Sequence, residues 1–228
     1  ERAGFAPVEA RLALSEALAS DERADTPLPD AERAEVEVRL ARLAKQSGDL
    51  VEAAERFDAA IARSQSPVQR AGRMRQRAQV DRARGENTAS RARLAQALSL
   101  LVGVAGREAL VTSIAIRCDE AWLKYSDGAY EDAIERIEAL LRQLPDDGEH
   151  ALEGDLFNTS GAAAFRLGDY ERAQHDYRRA LAAFERVGNS LSVSALCNNL
   201  GILAWRQGDD RAAIQHYQRA VRIKAERG

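Results

Sequence analysis

Small, large apolar and polar positions recur in a fixed order along the C-terminal half of the chain. Residues 198–221 read NNLGILAWRQGDDRAAIQHYQRAV and residues 158–181 read NTSGAAAFRLGDYERAQHDYRRAL. Gly161 therefore aligns with Gly201, Gly168 with Gly208, Ala173 with Ala213, Tyr177 with Tyr217 and Ala180 with Ala220. Apolar residues stand at helical spacing on both sides of a central glycine, which predicts a helix, a tight turn and a second helix. Self-similarity at a constant period marks a repeat array, in which each unit packs on its neighbours.

Fainter copies extend the period towards the N-terminus. Turn glycines stand at 48, 85, 128, 168 and 208, separated by 37, 43, 40 and 40 residues. Seven residues before each come Ala41, Ala78, Ala121, Gly161 and Gly201; five after come Ala53, Ser90, Ala133, Ala173 and Ala213. Twelve after come Ala60, Ala97, Leu140, Ala180 and Ala220. Small residues at these places let two antiparallel helices approach to about 8–10 Å. Nine after the glycine stands a large residue, Phe57, Leu94, Ile137, Tyr177 or Tyr217, which fills the gap to the next hairpin.

The pattern predicts first helices over 31–46, 67–84, 107–126, 148–167 and 190–207, and second helices over 49–63, 87–102, 129–143, 170–187 and 210–226. The units run 30–65, 66–104, 105–146, 147–187 and 188–228. Residues 1–29 stand apart: 8–19 are periodic and form a partial repeat or capping helix, and 25–30, Asp-Thr-Pro-Leu-Pro-Asp, form a turn. Pro67 and Pro145 fall between hairpins, where a missing N–H does least harm. The chain starts at Glu1 without Met and stops directly after a second helix, so a piece of a longer protein is expected, or self-association through the uncapped last helix.

Composition supports an all-α fold, since Pro numbers only five and Ala, Arg, Leu and Glu, all good helix formers, are abundant. With 33 basic and 36 acidic residues, charge gives no general reason for nucleic acid or an anionic membrane as partner. No apolar run approaches the length of a membrane span; residues 98–104 are the strongest. Cys118 and Cys197 are too few for a disulfide framework and lack zinc-site spacing, which fits a reducing, cytoplasmic setting.

The repeat resembles the tetratricopeptide repeat family, in the longer form with units of about forty residues found in many bacterial regulators and in kinesin light chains. The likeness covers residues 31–227 and is sharpest around Gly168 and Gly208. The aromatic that often opens the first helix is replaced by Glu37, Met74, Arg117, Phe157 and Cys197, and the terminal proline survives only as Pro145. The resemblance implies a right-handed α-solenoid of about five helix-turn-helix repeats whose first helices line a concave surface.

Residues ten, six and three before each turn glycine share one helical stripe on that surface. They are Val38, Arg42 and Lys45; Arg75, Gln79 and Arg82; Cys118, Trp122 and Tyr125; Asn158, Ala162 and Phe165; and Asn198, Ile202 and Trp205. The first two units offer cations and the last three offer aromatics and amides, a surface for a peptide or protein segment with acidic and apolar anchors. Asn158 and Asn198 resemble the asparagines with which related arrays hold a bound backbone; a solvated amide or a bond within the array is the other reading. Trp122, Phe165 and Trp205 are equally read as packing between units.

Nine arginines lie between 63 and 93 against Asp81 and Glu86, and most are expected to be solvated. Ten acids lie between 127 and 155 against Arg136 and Arg142. Nucleic acid is disfavoured as a partner, because no recognition motif accompanies the basic run. His150, His175 and His216 lie on different helices without a Cys or Ser partner, and no phosphate loop or metal-ligand spacing occurs. The expectation is a non-catalytic interaction module with no cofactor and no metal. The alternative is a regulatory or sensor arm of a larger bacterial signalling protein, such as a serine/threonine kinase, a STAND ATPase or a transcription regulator.

Overall fold

The computed structural model describes residues 5–21, 27–145 and 148–226. Asp25 and Thr26 of the expected turn, and Asp146 and Asp147 of the acidic run, lie outside the described residues. Among those described, every regular element is helical. The helices are α1 (Phe5–Asp21), α2 (Asp30–Gln46), α3 (Leu50–Ala62), α4 (Pro67–Ala83), α5 (Asn87–Ser99) and α6 (Arg107–Ser126). They continue as α7 (Tyr130–Leu141), α8 (His150–Leu167), α9 (Tyr170–Arg186), α10 (Ser190–Arg206) and α11 (Asp210–Glu226). No helix among the described residues is long and apolar enough to cross a membrane.

The five turn glycines explain where the helices stop. Their φ angles are +83° at Gly48, +80° at Gly85, +86° at Gly128, +81° at Gly168 and +82° at Gly208. A side chain there would be strained by about 1 kcal/mol or more. Each glycine N–H donates three residues back, as Gly48 to Lys45 at 3.2 Å. The next N–H donates five residues back, as Asp49 to Ala44 at 2.9 Å, closing a Schellman turn. That next residue also caps the helix that follows. Asp49, Asp169 and Asp209 accept from the N–H of Glu52, Arg172 and Ala212 at 3.1, 3.0 and 2.9 Å. One glycine and one aspartate thus end one helix and begin the next.

The chain divides into two compact units, residues 1–119 and 120–228. In the first, α1 packs on α2, the α2/α3 hairpin packs on α4, and α4 pairs with α5. In the second, α7 packs on α8, α8 pairs with α9, α9 packs on α10, and α10 pairs with α11. The small positions are buried in both: Ala41, Ala53 and Ala60 are fully enclosed, as are Ala133, Ala173 and Ala180. Where Ser90 replaces alanine, its hydroxyl donates to the carbonyl of Ala78 at 2.9 Å, so the substitution leaves no orphaned polar atom. Gly161 and Gly201 admit closer approach still. A Cβ on Gly161 would lie 2.8 Å from Tyr177 Cδ1, and one on Gly201 2.6 Å from Tyr217 Cε1.

The two cores differ in chemistry. Phe57 and Leu94 anchor the first among alanines, each contributing about 1.5–3 kcal/mol of burial. Around them α4 carries three charged side chains into the interior. Arg73 donates to the carbonyl of Ala60 at 3.2 Å, to Ser64 Oγ at 2.9 Å and to Glu35 at 2.7 Å. Arg77 pairs with Asp58 at 3.1 Å and with Asp81, and Asp81 accepts from Arg93 at 2.9 Å. Glu37, which stands where the repeat often has an aromatic, is buried against Arg56 at 3.3 Å. The expectation that most arginines between 63 and 93 are solvated is therefore corrected: Arg73 and Arg77 are buried, and Arg63, Arg75, Arg82, Arg91 and Arg93 are half-buried. Carboxylates on neighbouring helices hold several of them. The second interior is built mainly on Phe157, Tyr177, Phe184, Leu196, Leu200 and Leu203, and Asp176 is the one buried charged side chain among its described residues.

Candidate functional site

In the second unit, the C-terminal part of α6, α8 and α10 bring Tyr125, Ala162, Phe165 and Ile202 together around a cavity of about 210 Å³. Ala162 leaves the space and the larger three wall it. Arg166, Tyr177 and Asn199 complete the lining. Gly161 lets the Tyr177 ring slide in beneath α8, where burial pushes its phenol well above the usual tyrosine range. Tyr177 is therefore a neutral, rigid floor.

Arg166 is exposed at the rim. Its Nε donates to Tyr130 Oη at 3.1 Å and its guanidinium lies 5.7 Å from the Tyr130 ring centroid. That hydrogen bond pushes its pKa further up, so the group is a fixed cation. Tyr130 in turn packs on Tyr125 at 5.7 Å, and Tyr125 on Trp122 edge-to-face at 6.3 Å. A run of aromatics thus leads from the cavity wall to its cation.

The amides are arranged differently from the expected pair. Asn158 Oδ1 accepts from Asn199 Nδ2 at 3.4 Å, while Asn198 is exposed. Trp205 is 57 % exposed with Arg206 stacked over it at 5.3 Å, whereas Phe165 is half-buried and packs on Tyr170 at 5.7 Å. The packing reading of the aromatics therefore suits Phe165 and not Trp205.

In the first unit the stripe has another fate. Val38 and Cys118 are buried, 4 % and 3 % exposed, and belong to the interior. Lys45, Arg75, Gln79 and Arg82 converge on Asp119, a residue outside the expected stripe. Arg75 Nε reaches its carboxylate at 2.6 Å, Gln79 Nε2 at 3.0 Å and Arg82 at 3.5 Å, and Lys45 donates to Gln79 Oε1 at 3.2 Å. Burial, then the charges of Arg82 and Arg75, lower the Lys45 pKa, and Asp119 opposes them. Arg42 remains exposed. The cations expected to meet an acidic partner already share a buried acid of the chain itself.

Asp119 and Asn199 have one thing in common: both stand nine residues before a turn glycine. Arg166 stands two before one. The lining therefore keeps Tyr125, Ala162, Phe165 and Ile202 of the expected stripe and adds residues one position further along, and the signal was the polar residue beside each predicted position.

Ser160, Asp176 and His175 also meet, but the carboxylate sits between the other two. Ser160 Oγ donates to Asp176 Oδ2 at 2.6 Å and His175 Nδ1 lies 2.9 Å from Asp176 Oδ1. His175 cannot take the proton of a serine it does not touch, so the cluster ties α8 to α9.

Residues 153–226 match the family model described as tetratricopeptide repeat. No curated protein is a significant match. Among solved structures, BtubC (BKLC) from P. vanneervenii is similar over 97 % of this chain and 92 % of its own, with TM-score 0.69 and 20 % identity. A Rap protein complexed with competence and sporulation factor is similar over 93 % of this chain and 59 % of its own, with TM-score 0.74 and 18 % identity. The Cut9–Hcn1 hetero-tetramer of the APC/C contains a chain similar over 96 % of this one and 37 % of its own, with TM-score 0.65 and 13 % identity. This chain thus spans nearly all of BtubC and less than two thirds of the other two.

Proposed function

We propose that this chain, a member of the tetratricopeptide repeat family, is a non-catalytic protein-interaction module that holds an extended protein segment against the α8–α10 face of its second unit. The observation that carries the reading is the cavity walled by Tyr125, Ala162, Phe165 and Ile202 with Arg166 at its rim. At about 210 Å³ it is smaller than the ~300–1,000 Å³ of small-molecule pockets and suits one apolar side chain. Burial of that side chain is worth about 1.5–3 kcal/mol, and a carboxylate on the exposed Arg166 adds a preference for acid at the rim rather than much affinity. Asn198 and Trp205 extend the surface for the neighbouring backbone and side chains. In the first unit Arg75 and Arg82 are engaged by Asp119 and Lys45 by Gln79, and the proposed surface does not extend to them.

The test is a peptide array that pairs each apolar residue with a neighbouring Asp, Asn or Lys. Binders should carry an apolar residue beside Asp. Ala162→Trp, which fills the cavity, and Arg166→Glu should each weaken the best binder by about tenfold or more at unchanged helicity. Full binding by both variants would overturn the reading.

A further inference from the structure

Where the end of α7 meets the start of α8 and the end of α9, the second unit holds another cavity, of about 310 Å³, that shares no residue with the α8–α10 site. Its origin can be read from the repeat. α9 runs for 17 residues, whereas α7 stops after 12, at Leu141. Continuing α7 would bring Pro145 into its interior, without an N–H and against the carbonyl four residues back. Sixteen residues after the turn glycine, Leu144 stands where α9 has Phe184; fifteen before the next, Glu153 stands where α10 has Val193. Phe184 and Val193 are core residues, 2 % and 6 % exposed. Leu144 and Glu153 are only half-buried, and the corner between them stays open.

The lining carries both signs of charge. Among the described lining residues, Glu149 and Glu153 at the start of α8 accompany Arg179 and Arg186 of α9. Glu153 accepts from Arg179 at 3.1 Å and has His150 Nδ1 at 3.4 Å, and the Arg179 guanidinium lies over the Phe157 ring at 4.6 Å. Arg186 is exposed and takes part in no ion pair among the described residues. Leu141, Leu144, Pro145 and Phe157 form the apolar wall. A simple anion entering this corner meets two carboxylates, and a simple cation meets two guanidiniums. A zwitterion meets a partner for each of its charges. The volume is at the lower end of the ~300–1,000 Å³ of small-molecule pockets, which suits a small ligand with one apolar arm.

We infer that this corner binds a free α-amino acid with a large apolar side chain. Its carboxylate lies at Arg186, its ammonium at Glu149 and its side chain against Leu144 and Phe157.

Amide chemical-shift titration of the full chain with phenylalanine, N-acetylphenylalanine and phenylalaninamide tests this. Phenylalanine at millimolar concentration should shift Glu149, Glu153, Phe157 and Arg179. Each blocked form lacks one charge and should bind about threefold more weakly or worse, the size of an exposed ion pair. Arg186→Gln should weaken phenylalanine by the same factor and leave phenylalaninamide unaffected, and Glu149→Gln should weaken phenylalanine and leave N-acetylphenylalanine unaffected. Silence at these residues, blocked forms that bind as well as phenylalanine, or variants that bind phenylalanine like wild type would each overturn the proposal. Helicity matching wild type in both variants keeps loss of binding distinct from loss of fold.

Discussion

The two units share one backbone plan and bury different amounts of charge in it. Around the α2–α5 hairpins the interior is closed by ion pairs, and Arg73, Arg77, Asp81 and Asp119 are all buried or nearly so. Around α8–α11 the corresponding volume is filled by Tyr177, Phe184 and leucines. The consequence reaches the exposed face. A charged interior holds its own cations inward, as Asp119 holds Arg75 and Arg82, and leaves little for a partner. The second interior buries one carboxylate among its described residues, Asp176, held by Ser160 away from the cavity, and a single small residue, Ala162, opens that cavity. Repeats of one plan thus present different surfaces in the two units.

The largest test of this contrast removes a buried charge. Asp81→Ala leaves buried Arg77 and its neighbour Arg93 with Asp58 alone, and should cost about 3 kcal/mol in the first unit. Hydrogen exchange should accelerate in α3–α5 and remain slow in α8–α9. Equal acceleration in both would show that the units are not energetically distinct. In the second unit the matching change is steric. Gly201→Ala puts a methyl 2.6 Å from Tyr217 and should cost about 1–3 kcal/mol through displaced α10/α11 packing, read by urea denaturation.

Asp119→Asn sharpens the comparison at lower cost. It keeps the shape, releases the cations and should make the first unit bind an acidic peptide several-fold more tightly, while binding by the second unit stays the same. Unchanged affinity would mean that Asp119 does not restrain those cations. The smallest effect is at His216, whose pKa is lowered by burial and then by Arg178 and Arg219. The unfolded chain binds the proton more readily, so stability falls as pH drops below the ordinary histidine value of about 6.5. His216→Gln should remove that slope in thermal melts, and a slope that persists would assign it to other groups.

The helices were legible because their ends are written locally. Gly168 with Asp169, or Gly208 with Asp209, stops and restarts a helix within two residues, and the forty-residue offset repeats the message. Expected and observed helices agree to within a few residues throughout. The charged interior was not legible, because Arg73 finds Glu35 and Arg75 finds Asp119, 38 and 44 residues away, at positions the repeat does not share. Half of the candidate site could be read from the stripe, as Tyr125, Ala162, Phe165 and Ile202 show. Asn199 and Arg166 were missed because the face is wider than the stripe by one residue, about 100° around the helix, a width that periodicity alone does not resolve.

The central claim is that binding belongs to the second unit. Amide chemical-shift mapping during titration with an apolar–acidic peptide tests it most directly. The account predicts that shifts gather at Tyr125, Ala162, Phe165, Arg166, Asn199 and Ile202 while α2 and α4 stay silent. Shifts centred instead on Lys45, Arg75 and Arg82 would contradict it.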